Sequence, residues 1–347
     1  MSGASLSDKH GGTGCAAIFG LAGLRLLEDE RTLFRQAQPA GYILFARNIE
    51  SPHQIKELTS DLRSLSEFDP LILIDQEGGR VARLRPPHWR AAPPAQRFGD
   101  LAQVDRAAAC RAAALNAGLL AAELAALGIN VDCAPVLDLP VPGAHDIIGD
   151  RAFAQDAETI GILGRRFCEG MIAAGVLPVI KHIPGHGRAT VDSHHDLPRV
   201  SSGLATLRET DFAPFRALSD MPLAMTAHIV YDAIDPDAPA TLSRKLVQET
   251  IRGEIGFDGL LMTDDLGMRA LTGTPGSLGV SSLAAGCDLV LHCSGNLTEM
   301  RELAEACGAP SGEARTRIAR AMALLPAEPP AVDMAAMQDE LASLLPV

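Results

Sequence analysis

Short apolar runs recur along the chain, each followed by a stretch in which apolar positions return at helical spacing. The runs begin at Ala16 (AAIFGLAG), Gly41 (GYILFAR), Leu71 (LILIDQEGG), Ile129 (INVDCAPVLDL), Val176 (VLPVIKHIPGHG), Pro222 (PLAMTAH), Gly259 (GLLMTDDLGM) and Cys287 (CDLVLHCSG). Between them the spacing predicts helices near 52–66, 102–127, 156–174, 205–219, 243–255 and 298–306. Strand and helix therefore alternate, which predicts a parallel sheet. The runs are almost continuously apolar, as strands covered on both faces are. Eight such units in 347 residues predict an α/β fold, a single TIM-type (β/α)8 barrel, which takes about 250 residues. An open doubly wound sheet satisfies the same strand count.

Polar residues at the C-terminal ends of the runs extend the argument: Arg47, Asp75, Asp138, Lys181 with His182, His228, Asp264 with Asp265, and His292. In a barrel these ends converge on one mouth, where active sites are built. Two segments fall outside the repeat. The loop from Leu84 to Asp100 holds Pro86, Pro87, Pro93 and Pro94 and is expected to be a stiff excursion that walls the mouth. The expected division is an N-terminal extension over 1–15, the barrel over 16–325, and a tail over 326–347 that ends in a helix packed on the barrel, with no second domain.

Composition narrows the function classes. At 47% hydrophobic the chain has enough apolar residues for a sizeable core. Thirty Lys and Arg against forty-three Asp and Glu leave a net charge of −13, which opposes phosphate backbones and anionic membrane surfaces as partners. The seven cysteines are never spaced as CxxC, a usage that suits buried free thiols in a reducing compartment. No run reaches the roughly 18 apolar residues of a membrane span, and the polar start is unlike a secretory signal. A cytoplasmic protein is expected.

The stretch KHIPGHGRATVDSHHDLP, 181–198, holds four of the ten histidines: His182, His186, His194 and His195. A metal site, an acid/base catalyst and a polar loop without chemistry compete to explain it. His182 and His186 stand four apart, which on a helix would serve zinc. Pro184, Gly185 and Gly187 break any helix there, and no CxxC completes a site, so neither metal nor cofactor is expected. Asp192-Ser193-His194 offers another use: an aspartate two residues before a histidine can fold back on the ring, fix its tautomer and stabilise the imidazolium. Such a histidine is a usable acid/base near neutrality, although triplets of this kind are common in ordinary loops. In LMTDDLGM one of Asp264 and Asp265 reads as a helix N-cap. The other is left at the mouth, where a carboxylate nucleophile would stand. No GxSxG marks a serine hydrolase and no GxGxxG or GxxxxGK[ST] a nucleotide site.

Six motifs in order, IDQEGGRVARL (74–84), APVLDL (134–139), IIGDRAF (147–153), KHIPGHG with DSHHDLP, MTAHIVY with PATLS, and GFDGLLMTDDLGM, make the chain resemble glycoside hydrolase family 3 β-N-acetylhexosaminidases, the single-domain bacterial type that recycles peptidoglycan. The resemblance spans roughly residues 16–305. It implies a TIM-type barrel, Asp264 as nucleophile, His194 as proton donor and acceptor, and Asp192 as its polarising partner. It also implies that Asp75, Arg83, Arg151, Lys181 and His182 hold the terminal N-acetylglucosamine. The implied activity is a retaining exo-β-N-acetylglucosaminidase on muropeptide fragments, releasing GlcNAc from 1,6-anhydro-N-acetylmuramic acid with or without its peptide. A phosphorylase of the same family and a non-catalytic sugar-binding barrel are the alternatives; the presence of Asp264, Asp192 and His194 together argues against the second. A monomer with no nucleic-acid or membrane partner is expected. Family members more often read KHFPGHG and SDDL where this chain has Ile183 and Thr263, both conservative changes. Arg188, inside the histidine loop, is expected to meet either an anionic part of the substrate or solvent.

Overall fold

The computed structural model of the protein describes residues 14–193, 196–328 and 330–345. Each apolar run contains one strand of a closed parallel barrel: β1 (Ala17–Gly20), β2 (Gly41–Leu44), β3 (Leu71–Ile74), β4 (Val131–Asp132), β5 (Leu177–Ile183), β6 (Leu223–Thr226), β7 (Leu260–Asp265) and β8 (Leu289–His292). The strands follow chain order around the barrel, and β8 returns to β1 with Val290 opposite Ala17. Closure rules out the open doubly wound sheet.

The period-2 alternation of a strand sorts the apolar residues into two layers. Ile18, Ile43, Leu71, Leu73, Val131, Cys133, Leu177, Val179, Leu223, Met225, Leu260, Met262, Leu289 and Leu291 form one buried cluster that fills the lumen. Their strand neighbours, among them Phe19, Tyr42, Ile72, Ile180, Leu261 and Val290, belong to a larger cluster shared with the surrounding helices. Ile318, Ala321 and Met322 of the helix Gly312–Met322 join the lumen cluster and close the end of the barrel opposite the site.

Most of the expected helices form, at Pro52–Leu65, Arg106–Ala125, Ala157–Ala173 and Leu297–Cys307. Side chains of Ser51, Asp105, Asp156 and Asn296 cap their first turns, satisfying backbone N–H groups that have no partner within the helix. The expected 205–219 helix is instead two short ones, Leu204–Glu209 and Phe212–Ala217, and Leu246–Glu254 is a π-helix. Glu28–Ala37, Pro275–Ala285 and Gly312–Met322 are helices that the spacing did not predict. The second of these, PGSLGVSSLAA, is poor in helix formers. Its Gly279 faces Leu303 and Cys307, where a Cβ would come within 2.6 Å of both side chains.

The helix Arg106–Ala125 is long and apolar enough to cross a membrane by length and composition. It lies among the helices Gln96–Ala102, Ala157–Ala173 and Met334–Leu344. The last of these lies in the tail and is tied down by a two-bond ion pair between Arg111 and Glu340.

The proline-rich loop does not wall the mouth. Arg90 turns outward to Asn116 on the helix Arg106–Ala125, and Trp89 packs partly buried on the outer helical core. Pro93 and Pro94 stand behind Gly78 and Gly79, so the loop backs the short hairpin of Gln76–Gly78 and Val81–Ala82 instead. The reason lies in Arg90: its charge finds Glu123 3.6 Å away in a partly buried setting on the helix.

Candidate active site

A cavity of about 310 Å³ opens at the C-terminal ends of the strands. Its floor continues the lumen alternation by one step. Two residues beyond Ile43, Leu73, Val179, Met262 and Leu291 stand Phe45, Asp75, Lys181, Asp264 and Cys293, and all five line the cavity. Asp75 and Lys181 face inward in phase with the lumen residues before them, and Asp264 lines the cavity too although the pairing of β7 with β8 shifts register between Met262 and Asp265. His182 is out of phase and also lines the cavity. It enters because the pairing of β5 with β6 shifts register between Lys181 and Ile183.

Lys181 is the centre of a buried charge cluster. Its Nζ lies 2.9 Å from Asp75 Oδ1 and 2.6 Å from Glu77 Oε1. Arg83 donates to Asp75 Oδ2 at 2.9 Å, and Arg151 donates to both oxygens of Glu77 at 2.8 Å, the forked geometry that guanidinium favours. Burial alone would raise the Asp75 carboxyl, but Lys181 and Arg83 outweigh it and hold the group well below the usual carboxylate range. Glu77 is likewise pushed up by burial and pulled down by Lys181 and Arg151, to about 2. Burial works against the Lys181 ammonium too, and the two carboxylates overcome it and raise its pKa. Asp75, Glu77, Lys181 and Arg151 are therefore ionised near neutral pH. The other arm of the hairpin is held by Gln76, whose side chain bridges the Arg83 and Leu84 amides and the Leu84 carbonyl. Arg80 gathers the carbonyls of Asp146, Ile147 and Ile148 and so fixes the turn that presents Arg151.

Neither Asp264 nor Asp265 caps a helix as expected, because β7 runs into a turn and the next helix, Pro275–Ala285, is capped by Thr274. Asp265 Oδ1 accepts from the Gly267 and Cys293 amides, each at 3.0 Å, and so organises the turn after β7. Asp264 receives the Asp265 N–H at 2.8 Å and, among the described residues, no Lys, Arg or His within ion-pair distance. Burial opposes its charge, yet His182, His228, the Asp265 N–H and Lys181 together lower its pKa. It is an ionised, half-buried carboxylate at the cavity floor.

Asp138, fully buried, grips both histidines of KHIPGHG. Its Oδ2 lies 2.7 Å from His182 Nδ1, and its Oδ1 accepts the His182 and His186 amides at 3.1 and 2.6 Å. With Nδ1–H donating to Asp138, Nε2 of His182 is the ring nitrogen available to a ligand. His186 Nε2 lies 3.2 Å from Ser193 Oγ. Among the described residues no group of three His, Cys, Asp or Glu side chains is arranged to hold a metal.

The structure brings together Asp75, Arg83, Arg151, Lys181, His182 and Asp264. His194 and His195 lie outside the described residues; just before them, the Asp192 carbonyl accepts the Asp196 N–H at 3.0 Å. Two strand-end histidines take no part in the cavity: His228 bonds Thr241 and the Asp265 carbonyl, and His292 bonds Glu299. Arg188 is not left to solvent. It donates to Asp211 Oδ2 at 2.7 Å and to Thr210 at 3.0 Å, and Asp211 reaches it because the helix expected over 205–219 breaks there. The sequence argument passed over Glu77, although it stands two residues after Asp75 and shares its face.

The model of the glycosyl hydrolase family 3 N-terminal domain matches residues 16–323. A β-hexosaminidase of Alkalilimnicola ehrlichii is 43% identical over 284 residues, 80% of each chain. The crystal structure of native NagZ from Neisseria gonorrhoeae superposes with a TM-score of 0.87 at 31% identity, covering 96% of this chain and 99% of that one. Its complex with N-trifluoroacetyl-D-glucosamine gives 0.86 at 31% identity, with 96% and 98% covered. With a parallel barrel, a charge-lined mouth and this extent of similarity, the chain belongs to glycosyl hydrolase family 3 and is a homologue of the bacterial β-hexosaminidases.

Proposed function

We propose that the protein is a retaining exo-β-N-acetylglucosaminidase that removes terminal GlcNAc from peptidoglycan fragments, GlcNAc-1,6-anhydro-N-acetylmuramic acid with or without peptide. The observation that carries this reading is Asp264: an ionised carboxylate, without an ion-pair partner among the described residues, on the floor of a cavity otherwise lined by paired charges. A carboxylate so placed is suited to attack an anomeric carbon. Asp75, Arg83, Arg151, Lys181 and His182 offer the directional hydrogen bonds that sugar hydroxyls need. Val81, Ile147, Ile148, Met225, Met268 and Leu291 supply apolar surface for an acetamido methyl and the ring C–H groups.

In the reaction, Asp264 forms the bond to the anomeric carbon while His194, polarised by Asp192, gives its proton to the leaving oxygen. The same histidine then takes a proton from water, which displaces Asp264 with a second inversion and releases the sugar. Against its burial, His182, His228, the Asp265 N–H and Lys181 keep Asp264 ionised before attack. The cytoplasmic setting rests on the cysteines, all free and four of the seven buried.

A 5-fluoro N-acetylglucosaminyl donor with a good leaving group tests the assignment, since it slows hydrolysis of the glycosyl-enzyme enough for peptide mapping. The adduct is expected in LLMTDDLGM on Asp264. Labelling of Asp265, or an active enzyme that never labels, overturns it, the second outcome pointing to the substrate's own acetamido group as nucleophile. Product analysis on muropeptides with phosphate present separates hydrolysis from phosphorolysis.

A further inference from the structure

His228 stands two residues beyond the end of β6 and outside the lining of the cavity. Its Nε2 lies 3.0 Å from the Asp265 carbonyl oxygen and its Nδ1 2.7 Å from Thr241 Oγ1. A carbonyl only accepts, so Nε2 carries the proton. Burial lowers the pKa of the ring; the imidazole is therefore neutral near pH 7, and Nδ1 accepts the Thr241 hydroxyl. That contact is shorter than the one from the same hydroxyl to the Ala227 carbonyl, 3.1 Å. Thr241 Oγ1 also lies 2.8 Å from Thr226 Oγ1. Thr226, Thr241 and His228 are all fully buried, and the chain of donors they form runs one way, from the end of β6 to the Asp265 carbonyl at the end of β7.

That carbonyl lies where the barrel ladder is broken. From the pairing of Met262 with Leu289 to that of Asp265 with Leu291, β7 advances three residues and β8 two, a bulge of the kind that re-aims a side chain beside an active site. On its other edge, the pairing of β7 with β6 ends at Met262. Side chains take over from the ladder here. Thr263 Oγ1 accepts the Leu291 N–H at 2.9 Å, Asp265 Oδ1 accepts the Cys293 N–H at 3.0 Å, and His228 holds the Asp265 carbonyl. Asp265 is thus tied to β8 by its carboxylate and to the end of β6 by its carbonyl, and its N–H is given to Asp264 Oδ1 at 2.8 Å.

We propose that His228 is a positioning residue for the nucleophile: by holding the Asp265 carbonyl across the bulge it fixes the Asp265 N–H that orients the Asp264 carboxylate, and so aims Asp264 Oδ2 at the anomeric carbon. This rests on the glycosidase reading above. The side chains offered to the sugar come from other segments, so loosening the bulge slows attack by Asp264 whatever the leaving group and leaves sugar binding alone.

Two amides separate the two ends of the ring. His228→Asn can keep an acceptor near the Nδ1 position for Thr241 but loses the donor to Asp265, whereas His228→Gln can place an amide N–H near the Nε2 position. In His228→Asn the rate constant for glycosylation of Asp264, read from the pre-steady-state burst, should fall about 10- to 100-fold, the scale of a misplacement near 1 Å. The factor should be the same for dinitrophenyl and methylumbelliferyl N-acetyl-β-glucosaminides, because the defect lies in the nucleophile and not in proton donation. Inhibition by free N-acetylglucosamine should stay within about twofold of wild type. His228→Gln should recover most of the loss. Thr241→Val, which removes the donor that fixes the tautomer of His228, should repeat the pattern in weaker form, and Thr241→Ser should restore the rate. If His228→Asn does not fold, the Thr241 pair carries the same comparison.

A loss in His228→Asn below about twofold, a loss confined to the poorer leaving group, weakened N-acetylglucosamine binding, or a His228→Gln variant as slow as His228→Asn overturns the proposal. Asp264→Ala is the control for the reading beneath it. Should that variant keep its turnover, the nucleophile assignment itself fails. Should it be inactive while His228→Asn matches wild type, only the positioning role of His228 falls.

Discussion

Replacing Glu77 with glutamine removes one charge from the buried cluster while keeping its shape. The Glu77 side chain is 8% exposed and accepts from Lys181 at 2.6 Å and from Arg151 twice at 2.8 Å. Its carboxyl sits at about 2 against an ordinary 4.5 because Lys181 and Arg151 outweigh the burial that would raise it. The difference, 4.5 − 2 = 2.5, at about 1.36 kcal/mol per pH unit amounts to about 3 kcal/mol of folding stability. Removing one partner of a buried pair costs about 3–5 kcal/mol, so two routes agree on the scale. In the variant, Asp75 alone remains against Lys181, Arg83 and Arg151. Lys181 keeps its 2.9 Å contact to Asp75, and Arg151 keeps the Ile147 carbonyl at 3.0 Å.

The pH dependence separates this electrostatic loss from a packing defect. The folded-state pKa is depressed, so the stabilisation is complete above the unfolded value of 4.5 and is lost as pH falls through about 2. Urea unfolding of wild type and Glu77→Gln should therefore differ by about 3 kcal/mol at pH 7, and the difference should shrink by about 2 kcal/mol at pH 3. A gap that is flat between those pH values, or below about 1 kcal/mol at pH 7, would refute the reasoning. The inhibition constant of N-acetylglucosamine should rise in the same variant, since Lys181 and Arg151 lose the carboxylate that aims them.

Dialysis against a strong chelator should leave turnover of an aryl N-acetyl-β-glucosaminide unchanged, because His182 Nδ1 and His186 Nε2 face Asp138 and Ser193; activity lost and restored by zinc would reverse that reading. Arg188→Ala should cost about 3–5 kcal/mol in thermal or urea unfolding by stranding Asp211, which is 1% exposed, as a buried unpaired carboxylate. Asp211→Ala added to it should recover part of the loss, and a neutral Arg188→Ala would show that the pair does not anchor the histidine loop.

What the sequence revealed and what it hid divide along a physical line. Asp75 and Lys181 were legible because a strand's own period of two dictates where they point, and the apolar residues two places earlier fill the lumen. Glu77 obeys the same parity, yet it stands on the hairpin beyond β3, where no apolar run marks a strand. Its role depends on Arg151, which comes from a turn fixed by Arg80, and no periodicity connects those three segments. Pro275–Ala285 was hidden for a related reason: glycine there serves a close approach to the helix Leu297–Cys307, and that choice lowers the helix propensity by which the segment would be recognised. No sequence pattern connects Arg188 to Asp211, which receives it where the helix expected over 205–219 breaks into two. In the histidine loop both effects meet. Its glycines and prolines exclude a helical zinc site from sequence alone, but the tertiary grip of Asp138 on His182 and His186 and of His186 on Ser193 determines which imidazoles are committed to holding the loop. The proposed acid/base role is accordingly given to the histidine that the motif supplies besides these two, His194.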